Sequence, residues 1–141
     1  MRYALLVSAA LAGFSGVAGA QQPAAGIKLA DVAGVWDGKS MVGPKDSVVL
    51  TSVMTLTADG KGWTLAFPNR TEAVPVRVVS TGGDSIVTEA GPYPSALRPG
   101  VTVKLLQMVA HFKGNELWGT WSTQYDNGDK AAGKLTGTRR K

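Results

Sequence analysis

Side chains able to carry chemistry are few and scattered along this chain. His111 is the single imidazole, and there is no cysteine. It lies between Ala110 and Phe112 in an apolar run. Metal binding or general-base catalysis by one histidine needs partner groups nearby, and no second histidine is present to share a metal. His111 therefore reads as a hydrogen-bonded strand histidine. The carboxylates Asp37, Asp59, Asp84, Asp126 and Asp129 fall mostly in or beside turns, where aspartate caps the local backbone. No two of them pair as an acid and a base. Gly-x-Ser-x-Gly, a phosphate loop and His-Glu-x-x-His are all absent. Catalytic residues, metals and cofactors are not expected, and an enzyme ranks third among the functions considered.

The aromatic residues have a stronger claim. Trp36, Trp63, Phe67, Trp121 and Tyr125 all fall in the phase that points inward if their segments are strands. They either fill a core or line a site for a small apolar or amphipathic ligand. Gly38, Gly119, Gly133 and Gly137 share that phase and would leave room for a pocket. Tyr93 and Arg98 lie in a long proline-rich connection and are placed to cover its mouth.

The positioning elements follow from period-two alternation. Eight strands are predicted: Gly34–Val42, Ser47–Ala58, Trp63–Phe67, a fourth around Val74, Val76 and Val78, then Ser85–Ala90, Val101–Phe112, Glu116–Tyr125 and Lys130–Arg140. In the second, Val48, Leu50, Met54 and Leu56 share a face, with Thr51, Thr55 and Thr57 opposite. Asp59-Gly60-Lys61-Gly62, Gly82-Gly83-Asp84 and Asp126-Asn127-Gly128-Asp129 are hairpin turns. Pro75 suits a strand end or bulge. The single long connection is 91–100. Such a meander closes most simply into an all-β, eight-stranded antiparallel up-and-down barrel, which abolishes exposed edges. A two-sheet sandwich is the alternative. Residues 27–33 can form one helical turn plugging an end.

The sixth strand is apolar on both sides. Leu106, Met108, Ala110 and Phe112 occupy one face, and Val101, Val103, Leu105 and Val109 the other. With Trp118 beside it, this predicts an outer apolar patch and a homo-oligomer.

Residues 1–20 have the form of a signal peptide. Arg2 precedes an apolar segment, and Ala18-Gly19-Ala20 is a cleavage pattern. The expected division is thus leader 1–20, linker 21–33 and barrel 34–141, in a secreted or periplasmic protein. The apolar segment is short for a membrane span. Fifteen Lys and Arg against ten Asp and Glu give a net charge of +5. That charge is dispersed, without the basic and aromatic clustering of nucleic-acid binders. The tail Arg139-Arg140-Lys141 reads as a solvated end.

Gly34-x-Trp36 opening the first strand, with an arginine closing the last, resembles the lipocalins and their calycin relatives. The resemblance implies that this arginine packs over Trp36 and shuts one end of the barrel, with Gly34, Trp36 and Arg139 forming the closure. The alternation Leu135, Gly137, Arg139 favours Arg139 over Arg140. In length the chain is similar to the avidin and fatty-acid-binding branches, and Trp63, Trp118 and Trp121 echo the scattered tryptophans of avidins. The resemblance further implies a carrier of small hydrophobic molecules, with Trp36, Trp63, Phe67, Tyr93, Arg98, Trp121 and Tyr125 as ligand-binding residues. Some calycins hold haem through one histidine, which makes His111 the position to watch. The alternative is a non-catalytic cell-envelope structural or interaction module with a packed core.

Overall fold

Alternating β-branched and aromatic residues become nine strands in a computed structural model, which describes residues 26–141. The leader assignment lies outside the described residues. The strands are β1 (Gly34–Val42), β2 (Ser47–Leu56), β3 (Trp63–Ala66), β4 (Val74–Gly82), β5 (Ser85–Ala90), β6 (Tyr93–Pro94), β7 (Thr102–Lys113), β8 (Glu116–Tyr125) and β9 (Lys130–Arg139). Sequential neighbours pair from β1 to β5 and from β7 to β9, all antiparallel, and β1 pairs with β9. The remaining edges meet where β5 pairs with β7, from Ser85 opposite His111 to Ala90 opposite Leu106. Eight strands therefore form a closed up-and-down barrel, although the short β3 covers only Val53–Thr55 of β2 and leaves Ser47–Ser52 without a partner on that side. The two-residue β6 adds to β7 at the mouth, inside the 91–100 connection.

One face of each ribbon is dry. Trp36, Trp63, Leu65, Ile86, Leu106, Phe112, Leu117 and Leu135 are buried in a common core. A 3₁₀ turn, Leu29–Val32, caps one end, with Val32 buried and Ile27 N–H donating to Gly83 O at 2.8 Å. No helix among the described residues is long and apolar enough to cross a membrane.

Two faces differ from the sequence expectation, and bulges are the cause. Ser40 pairs with Leu50 but Met41 pairs with Val48, so Val49 is an extra residue in β2. Beyond it the phase reverses, and Val48 is 52% exposed rather than aligned with Met54 and Leu56. In β7, Val103 pairs with Tyr125 and Leu105 with Gln124, leaving Lys104 unpaired. Val103 is thereby turned into the core at 3% exposure, away from the outer face expected for it. The outer side of β7 retains half-buried Leu105 and Val109, interrupted by Gln107, whose amide donates to Glu89 at 3.2 Å.

Of the four inward-phase glycines, Gly119 and Gly133 open no interior space, whereas Gly38 and Gly137 border a trough on the outer face. A Cβ on Gly119 would lie 1.8 Å from the Val109 carbonyl oxygen, and one on Gly133 would lie 2.0 Å from that of Met41. Backbone occupies the space because a narrow barrel coils its strands sharply, and glycine is the residue that permits the approach. Gly119→Ala and Gly133→Ala are each expected to cost more than the ~1–3 kcal/mol of ordinary overpacking. Gly82→Ala, where a Cβ meets nothing within 4 Å, should be close to neutral. Urea denaturation of the three variants checks this, and equal stabilities would contradict the close approach.

Candidate functional site

The closed end is built around one indole. Trp36 is fully buried. Its N–H donates to Val32 O at 2.8 Å, tying β1 to the 3₁₀ plug. Phe112 meets it edge-on at 5.3 Å. Trp36 pairs across the ladder with Arg139, whose guanidinium carbon lies 4.9 Å from the ring centroid. The same guanidinium donates to Asn115 Oδ1 at 2.9 Å, to Asp31 O at 3.0 Å, to Ala33 O at 2.9 Å and to Gly114 O at 3.0 Å. It thus holds plug, first strand and the β7–β8 turn together. Gly34 has φ of +136°, and a Cβ there would lie 3.2 Å from Arg139 Cδ.

The neighbouring basic residue faces the other way. Arg140 makes a two-pronged contact with Asp37 at 2.8 and 2.9 Å. Its hydrogen bonds lower the Asp37 pKa, and Asp37 raises that of Arg140. Arg139-Arg140 is therefore engaged rather than a freely solvated tail.

The opposite end is covered by the 91–100 connection, a strap held by polar clips. Asn69 Nδ2 donates to Ala96 O at 2.9 Å, Arg70 Nη1 to Pro94 O at 2.6 Å and Arg77 Nη1 to Gly91 O at 3.1 Å. On the far side Arg98 reaches Asp129 at 3.3 Å and lies 4.7 Å above the Tyr125 ring. Tyr93 anchors the strap from inside, stacked on Phe67 at 6.0 Å. Burial pushes its phenol above the usual range, so it stays neutral.

Beneath the strap lies a cavity of about 50 Å³, bordered by Phe67, Tyr93, Leu97, Trp121, Thr123 and Tyr125. A second, of about 20 Å³, lies deeper between Trp63, Ile86, Met108 and Leu117. Of the aromatic residues singled out in the sequence, Phe67, Tyr93, Trp121 and Tyr125 thus gather at the upper cavity. Trp63 borders the lower one, Trp36 belongs to the closed end, and Arg98 lies above Tyr125 in the strap. The indole N–H groups are already satisfied within the chain: Trp63 donates to Thr57 O at 2.8 Å and Trp121 to Lys134 O at 3.0 Å. These tryptophans can offer a ligand apolar surface but no donor.

The larger concavity is outside. A trough of about 680 Å³ crosses the outer face of β3, β2, β1, β9 and β8, bordered by Asp37, Lys39, Thr51, Trp118, Thr136 and Thr138. Trp118 is 42% exposed. His111 stacks on it at 5.7 Å, and Asp84 Oδ1 holds His111 Nδ1 at 2.9 Å. His111 is therefore on the outer face, not inside the barrel where a haem would be enclosed. Among the described residues no three His, Asp or Glu side chains converge on a point. Sequence reasoning missed the trough. Its only trace was the polar phase of β1, β2 and β9, which ordinarily marks a plain solvated face.

Comparison with family models, curated proteins and solved structures finds no match to this chain.

Arg139→Ala is expected to cost about 2 kcal/mol or more, through the lost cation–π contact and the carbonyls it leaves unpaired. Arg140→Ala should change thermal stability little, because exposed ion pairs contribute little. The Asp37 carboxyl should titrate below the ordinary range and move up in Arg140→Ala, as read by NMR. Because the folded pKa is lowered, the pair's small contribution is present above the unfolded pKa and fades as pH falls through the folded one. An unmoved Asp37 titration in Arg140→Ala would contradict the pairing.

Proposed function

We propose that this chain is an exported, non-catalytic interaction module of the cell envelope, secreted or periplasmic, in which a packed barrel is the scaffold and recognition takes place on its outside. The observation that carries this reading is the distribution of free space. The two interior cavities measure about 50 and 20 Å³, whereas the outer trough measures about 680 Å³. Sites for drug-sized ligands usually need ~300–1,000 Å³. The interior falls well short of that, and the trough reaches it. The leader-like residues 1–20 support export.

A second reading keeps the lipocalin-like carrier. It is favoured by the upper cavity, where apolar Phe67, Leu97 and Trp121 meet the hydroxyls of Tyr93, Thr123 and Tyr125. Parting of the clips from Asn69, Arg70 and Arg77 would lift the strap and widen that space for a small amphipathic molecule.

A fluorescent naphthylamine probe and native mass spectrometry of protein from its own host separate the two. The packed scaffold predicts no stoichiometric probe uptake and no co-purifying small molecule. Uptake by the intact chain at micromolar probe, quenching the emission of the barrel tryptophans and lost in Trp121→Ala, would overturn it in favour of the carrier.

A further inference from the structure

We propose that the outer trough binds an uncharged oligosaccharide, with Trp118 as the stacking platform; this rests on the external recognition argued above. The trough floor is five adjacent strands wide, which spans ~19 Å at the usual inter-strand spacing. That is an elongated site, suited to a short chain rather than a compact molecule. Two cross-strand rows furnish it. One runs Val53, Asp37, Thr138, Glu116, and the other Thr51, Lys39, Thr136, Trp118.

Trp118 is the feature that distinguishes this face from a plain polar sheet. Other described aromatics, Trp36, Trp63, Phe67, Tyr93, Phe112, Trp121 and Tyr125, are buried. Trp118 is exposed and yet fixed. One side of its indole is covered by the His111 ring, inclined by only 22°, and Asp84 holds that imidazole in turn. Thr136 flanks Trp118 across the ladder, toward the trough. An aromatic plane held ready at the end of a groove recognises a flat apolar face, and the hydroxyls beside it recognise polar edges. A pyranose presents both: C–H groups on one face and hydroxyls around the rim.

Charge and backbone exclude the other elongated partners. Asp37 and Glu116 oppose Lys39 and Arg140, so the site is balanced in charge. A nucleic-acid phosphate backbone requires a surplus of cations. β1, β9 and β8 are paired on both sides, so an extended peptide could join only β2, at Ser47–Ser52, three strands away from Trp118. An acyl chain would have to lie along the charged side chains Asp37, Lys39 and Glu116, which occupy both rows. Neutral hydroxyl-rich chains remain, and Asp37, Glu116 and Lys39 can accept from and donate to their hydroxyls.

The test is titration of the full chain with neutral tetrasaccharides of glucose and of N-acetylglucosamine, up to ~1 mM, by amide and indole NMR and tryptophan fluorescence. The expected result is saturable shifts at the Trp118 indole, Lys39, Thr51 and Thr136. Trp118→Ala should weaken binding about tenfold or more, and Trp118→Phe should retain part of it. His111→Ala should weaken it less, by loosening the platform; circular dichroism confirms that each variant folds. Shifts at Tyr93, Leu97 and Tyr125 instead would overturn both this inference and the external reading beneath it. A trough that ignores every neutral sugar, or responds only to a protein or a second copy, would overturn the sugar inference while leaving the external reading intact. Unchanged affinity in Trp118→Ala would also overturn it.

Discussion

Closing eight strands on themselves leaves an interior about as wide as the side chains that line it. That geometric constraint governs the rest of the molecule. Three large indoles, Trp36, Trp63 and Trp121, are packed inside, and each finds a carbonyl of its own chain for its N–H. Strands must coil tightly to close at this diameter, so Gly119 and Gly133 yield their Cβ positions to neighbouring backbone. Extra residues at Val49, Val79 and Lys104 take up the remaining mismatch in register. The interior is consumed by these solutions, and what is left beneath the strap amounts to about 50 Å³.

The two ends are finished by different chemistry. At the closed end Arg139 combines a π contact with four hydrogen bonds, three of them to backbone carbonyls of the plug and the β7–β8 turn. Its rigid fork can meet several acceptors at once, which a lysine could not match. At the mouth the strap is held by separate contacts from Asn69, Arg70, Arg77 and Arg98, spread over several elements. One polar atom there, the buried Nε of Arg70, has no hydrogen-bond partner among the described residues.

Strand order and closure were legible because alternation has a period of two and the hairpin turns are rich in glycine and aspartate. Trp63, Leu65 and Phe67 alternate cleanly and are buried together. The faces of Val48 and Val103 were not legible, because a bulge leaves no signature when the inserted residue is an ordinary Val49 or Lys104. The glycines misled for a different reason. A missing side chain can mean vacant space or a close neighbour, and only coordinates decide between them. The His111–Trp118 stack depends on the β7–β8 register, which brings Trp118 opposite His111 across the hairpin. The sequence placed Trp118 outside, but the polar phase of β1, β2 and β9 did not distinguish a broad trough beside it from a plain solvated face.

The whole fold depends on a shut ring, so the seam between β5 and β7 is the place to measure. Native-state amide hydrogen exchange reads it directly. In a closed barrel, inner-seam amides across Ile86–Thr88 and Met108–Ala110 exchange as slowly as those of β1 and β9, by global unfolding alone. Seam amides exchanging orders of magnitude faster than those of β1 would show an open sheet and contradict the account.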